Sequence, residues 1–306
     1  MVNSKKYLVV LLGPTGVGKT ELSLLLSKHF NAPVISCDSR QFFREMRIGT
    51  AYPSEQELAQ VTHYLIGHKS VTERYSCGMF ELEALELLNS IYINKDIALL
   101  VGGSGLYIDA LLNGIDDFPT PNPELRKSLQ HQLKTDGIES LTQQLKLLDP
   151  DYYNRVDLKN PQRVLKAVEV CLQTGRTFSS FLSQPSKSRP FIPVKIGLTM
   201  PREELYERIN RRVDKMIEQG LVDEVKGLLL FRNYNALNTV GYKEIFQFLD
   251  GEINLEQAIE LIKRNTRRYA KRQLTWWARD NDIKWFHPKQ QTEIVEHMEN
   301  ICNLKI

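Results

Sequence analysis

The chain has 306 residues with 40 Lys and Arg against 37 Asp and Glu, a net charge of +3, and it is 42% hydrophobic and 25% charged. That is the composition of a folded globular protein with one large or two ordinary domains, and it excludes disordered, collagen-like and coiled-coil chains. The apolar runs Tyr7–Leu12 and Ile97–Val101 fall far short of the roughly 18–20 residues of a membrane span. The first is cut off by Gly13-Pro14 with no small-residue cleavage site behind it, so neither an anchor nor a secretory leader is expected, and a cytoplasmic protein is. Cys37, Cys77, Cys171 and Cys302 are too scattered for a zinc motif or a disulfide scaffold.

In chain order, Tyr7–Leu12 reads as a strand buried on both faces, and Glu21–Phe30 as a helix through Leu22, Leu25 and Leu26. A strand follows at Pro33–Cys37, a helix at Met79–Ile93 through Leu82, Leu85 and Leu88, and a strand at Ile97–Val101. Repeated βα units predict an α/β fold, a parallel sheet covered by helices. The three prolines of Phe118–Pro123 read as a linker. Glu124–Leu182 is helical in pattern, interrupted at Gly137, Asp149-Pro150 and Asn160-Pro161, and Ser179–Pro190 is rich in Ser and Pro. Phe191–Leu198 returns to a strand, and Arg202 to about Asp282 is mostly helical. The expected organisation is therefore a core of residues 1–118 and 190–306 with an all-helical domain inserted over 119–189.

The residues Gly13-Pro14-Thr15-Gly16-Val17-Gly18-Lys19-Thr20 fit G-x-x-x-x-G-K-[ST] between a predicted strand and a predicted helix, the P-loop and ATP-binding signature. Such a loop turns backbone N–H groups and a helix N-terminus toward phosphate. Lys19 adds a point charge, and the Thr20 hydroxyl can ligate Mg²⁺. The loop accepts any polyphosphate, and the nucleotide-hydrolase kit around it is thin. Ile97–Val101 runs into Gly102-Gly103-Ser104 rather than an aspartate, and no guanine-reading N-K-x-D is present.

Asp38, in Asp38-Ser39-Arg40-Gln41 at the end of the second strand, is placed at the ligand crevice of an open α/β sheet. A carboxylate there acts as a general base, or caps a turn. Ser104 ends another strand and is also within reach of the crevice. Between Leu261 and Arg279 stand seven basic residues and no acidic one, more than the whole chain's net +3, so the remainder is net acidic. Arg264, Arg268 and Arg272 recur at i, i+4 and i+8, a stripe suited to a nucleic-acid backbone. Arg208 and Arg212, also at i, i+4, are spaced to clamp a diphosphate.

Taken together, Gly13–Thr20, Asp38–Gln41, Ile48–Ala51, Gly102–Tyr107, Gln162-Arg163 before Ala167–Val170, Thr239–Glu244 and Thr266–Trp276 resemble the tRNA dimethylallyltransferase (tRNA isopentenyltransferase) family, bacterial type. The resemblance implies transfer of the dimethylallyl group of dimethylallyl diphosphate to N6 of adenosine 37, next to the anticodon of tRNA, with release of diphosphate. It implies that the loop 13–20 holds the prenyl diphosphate, with Lys19, Thr20 through Mg²⁺, Arg208 and Arg212 neutralising it, and that Asp38 accepts the proton of the attacking amine. It further implies tRNA contacts at Asp38, Ser39, Arg40, Gln41, Ser104, Arg126, Gln162, Arg163, Val164, Leu165 and Lys166. The stripe of Arg264, Arg268 and Arg272 is then expected to hold the RNA backbone. Ser104 stands where a Thr is more usual, and a monomer is expected. A P-loop small-molecule or nucleoside kinase, with Asp38 activating a hydroxyl, is the alternative enzyme, and a catalytically silent tRNA-binding module the alternative from another class.

Overall fold

The apolar run that follows Lys6 becomes β1 (Tyr7–Leu12), every residue of which is buried. The computed structural model describes residues 5–116, 118–182 and 187–302. They fall into two compact units, one formed by the chain up to Asn113 and from Arg189 onward, the other by Gly114–Ser188. The first unit holds β1, α1 (Lys19–Phe30), β2 (Val34–Ser36), α2 (Glu55–Leu58), β3 (His63–Tyr64), α3 (Cys77–Asn94), β4 (Ile97–Gly102) and α4 (Gly105–Asn113). The second holds α5 (Pro123–Thr135), α6 (Gly137–Leu148), α7 (Pro150–Tyr153) and α8 (Pro161–Thr174). The chain then re-enters the first unit with β5 (Ile192–Leu198), α9 (Arg202–Glu218), α10 (Leu221–Gly227), α11 (Tyr242–Leu249), α12 (Leu255–Trp277), β6 (Lys284–Phe286) and α13 (Gln291–Cys302).

The strands form one parallel sheet in the order β3-β2-β4-β1-β5-β6. This is an α/β fold with helices covering a P-loop sheet. Because strand side chains alternate between faces, β1 sends Leu8, Val10 and Leu12 into one core and Tyr7, Val9 and Leu11 into the other. β4 divides likewise, Ala98 and Leu100 against Ile97 and Leu99. β1 lies between β4 and β5, so the loops after β1, β2 and β4 gather at one end of the sheet, where the ligand crevice of such sheets lies. The expected strands at 33–37, 97–101 and 191–198 appear as β2, β4 and β5. The edge strands β3 and β6, two and three residues long, have no apolar run to announce them.

In the helical unit the interruptions expected from sequence are helix starts. Pro123, Pro150 and Pro161 each occupy a first turn, and Asn122, Asp149 and Asn160 cap them, accepting from the backbone N–H groups of Leu125, Tyr152 and Arg163 at 3.2, 3.0 and 3.2 Å. Pro123 thus opens α5 rather than ending a linker. Leu129, Leu141, Leu145, Val164, Leu165 and Val168 fill this unit's own core. Of the Ser- and Pro-rich stretch 179–190, residues 183–186 lie outside the described residues. Among the described residues all four cysteines are free, and no helix is long and apolar enough to cross a membrane.

Candidate functional site

The turn from β1 into α1 carries Gly13–Thr20. Gly18 precedes the helix at φ 105, a left-handed conformation that a side chain would strain, so the loop can close over its own N–H groups. Lys19 Nζ donates to the carbonyl oxygens of Gly13 and Pro14 at 2.8 and 2.9 Å. Burial lowers its pKa to about 8, the Asp38 charge partly countering and Arg212 adding to the fall. Helix α9 buries Leu205, Ile209, Val213 and Met216. Arg208 and Arg212 each stand one position before a buried residue and so flank that apolar face. Arg208 Nε donates to Gly16 O at 3.0 Å, and Arg212 Nη1 to Thr15 Oγ1 at 3.2 Å. Burial also lowers the Arg212 pKa, with Asp38 opposing. Half-buried cations without a bonded carboxylate are unfavourable, and an arriving polyanion relieves them.

These groups, with Thr20, Asp38 and Gln41, line a cleft of about 800 Å³. A second cavity of about 500 Å³ is lined by Asp38, Ser39, Arg40, Lys243, Arg268, Tyr269 and Arg272 among others. Thr15, Asp38, Thr50 and Arg212 belong to both, so the two spaces adjoin along these residues, Asp38 among them. Asp38 also has the turn role considered for it, since Oδ1 accepts the Arg40 N–H at 3.0 Å, and that bond fixes the carboxylate at the junction. Ser104 Oγ accepts the Ser39 N–H at 3.0 Å, and burial and the Asp38 charge push the Tyr269 pKa up to about 12. Gln41 Nε2 donates to Thr50 O and Ala51 O at 3.2 and 3.0 Å. The Arg40 guanidinium is engaged inside the protein, its Nη1 donating to the Asn235 and Ala236 carbonyls, both at 3.0 Å.

The basic run on α12 and just beyond it divides. Lys263 pairs with Asp214 at 2.8 Å, Arg267 donates to Asn210 at 2.6 Å, and Arg279 pairs with Asp109 at 2.6 Å. Arg268 and Arg272 face the second cavity, whereas Arg264 lies apart from it, beside Gln257, Glu260 and Leu261. In the helical unit Arg126 forms a two-pronged pair with the buried Glu169 at 2.9 and 2.5 Å. The segment Gln162–Lys166 separates by helical face: Gln162, Arg163 and Lys166 are exposed, but Val164 and Leu165 are 0% and 3% exposed. The RNA contact expected of those two side chains is corrected accordingly, since they pack into the unit's core.

Two residues that complete the site were not singled out from sequence. Glu224 on α10 accepts the N–H groups of Arg47, Ile48 and Gly49 at 2.9, 2.7 and 3.0 Å, together with the Tyr242 hydroxyl at 2.6 Å, and so holds the loop that presents Thr50. Gln273 on α12 accepts the Thr15 N–H at 2.9 Å. Both act across long stretches of chain; Gln273 lies within the Thr266–Trp276 motif without a role legible there, and Glu224 is marked only by the motifs that contain its partners.

The IPP transferase family model matches residues 41–280. The chain is 52% identical over 299 residues to tRNA dimethylallyltransferase 1 of Bacteroides thetaiotaomicron, a match covering 97% of each chain. It is 49% identical over 298 residues to the tRNA dimethylallyltransferase of Christiangramia forsetii, covering 97% of this chain and 99% of that one. Its structure is similar to that of the tRNA isopentenylpyrophosphate transferase from Bacillus halodurans, with a TM-score of 0.73 at 37% identity, covering 98% of this chain and 97% of that one. It is also similar to a eukaryotic dimethylallyltransferase acting on tRNA, with a TM-score of 0.83 at 27% identity, covering 99% of this chain and 81% of that one.

Proposed function

The chain belongs to the IPP transferase family and is an enzyme that transfers a dimethylallyl group to tRNA; we propose that its donor is dimethylallyl diphosphate, seated in the cleft over Gly13–Thr20, and its acceptor N6 of adenosine 37. The observation that carries this assignment is that two cavities share Asp38 in their lining, one where Lys19, Arg208 and Arg212 converge beside the phosphate loop and the other faced by Arg268 and Arg272. A base must leave its stack to reach such a junction, and contacts to the surrounding RNA compensate the cost.

In this mechanism the loop N–H groups, Lys19, Arg208 and Arg212 bind the diphosphate and stabilise the charge that grows on it as the bond from C1 to oxygen breaks. The adenine N6 lone pair forms the new bond to C1, and the Asp38 carboxylate takes the N6 proton. Tyr269, neutral at physiological pH, borders the acceptor cavity, and the buried Ser104 holds the Asp38–Ser39 turn from behind. Ser39 and Arg40 shape the same wall, Arg40 through its backbone, and Gln41 lines the donor side.

Thr20, Asp38 and Glu21 bring oxygen donors to the cleft, while among the described residues no group of three or more His, Cys, Asp or Glu side chains could hold a metal. That donor set fits Mg²⁺, which takes one or two protein oxygens and completes its shell with phosphate oxygens and water. Bound through the Thr20 hydroxyl, Mg²⁺ supplies charge neutralisation to the diphosphate. The exposed Gln162, Arg163 and Lys166 of the helical unit are assigned to the anticodon arm, with Arg264 further along α12, in a monomeric cytoplasmic enzyme.

The test is direct. With Mg²⁺ and dimethylallyl diphosphate, an unmodified anticodon stem-loop bearing adenosine at position 37 should gain the mass of one dimethylallyl group, and the same stem-loop with guanosine there should not. Transfer of the ATP γ-phosphate to a small hydroxyl acceptor, without prenylation, would overturn the assignment in favour of a kinase.

A further inference from the structure

We propose that Gln273 is a positioning residue that sets the phosphate loop for diphosphate and ties it to the helix facing the RNA. Its side chain is 6% exposed, and its amide is satisfied at both ends. Oε1 accepts the Thr15 N–H at 2.9 Å, and Nε2 donates to Gly103 O at 2.8 Å. One planar amide from α12 therefore joins the turn after β1 to the turn after β4. Glutamine is the side chain whose terminus offers an acceptor and a donor side by side at this reach. An ionised glutamate would turn an oxygen against the Gly103 carbonyl, and an apolar side chain would leave two buried backbone groups without partners.

The partner position is shaped for this contact. A Cβ at Gly103 would stand 2.3 Å from Gln273 Nε2, so the absence of a side chain there is what admits the amide. Thr15 is held from a second side by Arg212, whose Nη1 donates to its hydroxyl at 3.2 Å. The loop is thereby held at Thr15 through both its backbone N–H and its hydroxyl. On the same helix Tyr269, one turn before Gln273, lines the second cavity together with Arg268 and Arg272. The donor loop and the acceptor wall consequently share one rigid element, and Gln273 is its link to the donor side.

This role rests on diphosphate occupying the loop, as proposed above, and its test separates the two. Inorganic diphosphate binding is measured by calorimetry in the presence of Mg²⁺, alongside steady-state prenylation, for the full chain and for Gln273→Met and Gln273→Glu. Diphosphate affinity should fall about tenfold and the KM for dimethylallyl diphosphate rise about tenfold, the effect of about one lost hydrogen-bond contribution, with kcat within about threefold of wild type. That split distinguishes loop positioning from general destabilisation, which would lower the active fraction and thus kcat. Gly103→Ala displaces the amide from the other side with Gln273 intact and should give the same split, which keeps the test decisive if a Gln273 variant folds poorly. Unchanged diphosphate affinity and KM in the folded variants would overturn the positioning role alone. Wild-type protein that neither binds diphosphate nor prenylates RNA would overturn the donor assignment and this role with it.

Discussion

The two cavities that share Asp38 in their lining are built in opposite ways. The donor cleft is centred on eight contiguous residues, Gly13–Thr20, whose backbone forms the floor, with two arginines of one helix leaning over it. The acceptor cavity takes its walls from the turn after β2, from Gly49 and Thr50, from α9, from 238–244 and from α12, and it is made of side chains. A site made of backbone is specified locally and tolerates change around it. One made of converging side chains depends on every element that brings them together.

The largest effect should come from the residue the two spaces share. Asp38→Asn keeps the turn's acceptor oxygen but removes the proton acceptor, so single-turnover prenylation should slow by roughly two or more orders of magnitude, about 3 kcal/mol. Diphosphate affinity should stay near wild type. Unchanged turnover would reduce Asp38 to a turn residue and leave the junction without a base.

A smaller effect sharpens the donor side. Lys19 is protonated below its pKa of about 8 and neutral above it, and only the cation attracts diphosphate. The kcat/KM for dimethylallyl diphosphate should therefore be level below pH 8 and fall by about tenfold per unit above it, as one proton is lost from the free enzyme. Lys19→Arg, charged throughout, should lack that falling limb. A limb that persists in the variant would assign the ionisation elsewhere.

The smallest effects belong to the acceptor side. Arg268→Ala and Arg272→Ala should each weaken stem-loop binding and reduce the slope of log affinity against log salt by about one, the signature of one lost phosphate contact. Arg264→Ala, outside the cavity, should change the slope less. Equal slopes in all three variants and wild type would mean that the stripe faces only solvent.

This contrast also explains what could be read from the chain before its structure. β1, β4, β5 and the phosphate loop were legible because each is contiguous and apolar or glycine-rich in a pattern few other structures satisfy. β3 and β6 were not, since two- and three-residue edges carry no periodicity, and neither were Gln273 and Glu224, whose partners lie far away along the sequence. Val164 and Leu165 fail for a different reason. A family segment carried over as a block ignores that α8 has an inward face, and the burial of these two beside exposed Arg163 and Lys166 restores it. Asp149-Pro150 and Asn160-Pro161 look like breaks in the sequence, yet each is a cap followed by a permitted first-turn proline, because the same residues that cannot continue a helix can begin one.

The pairing of β1 with β5 has a consequence in time as well as in space. Tyr7 finds Ile192 across the sheet, with the whole of Gly114–Ser188 intervening in the chain. On a ribosome the helical unit is complete in sequence, with its caps and its own core, before the last residues of β5 exist. β1, meanwhile, emerges first and has only β4 beside it until Ile192–Leu198 is made. The floor of the donor cleft is thus made before the helical unit, and the arginines that lean over it only after that unit and β5.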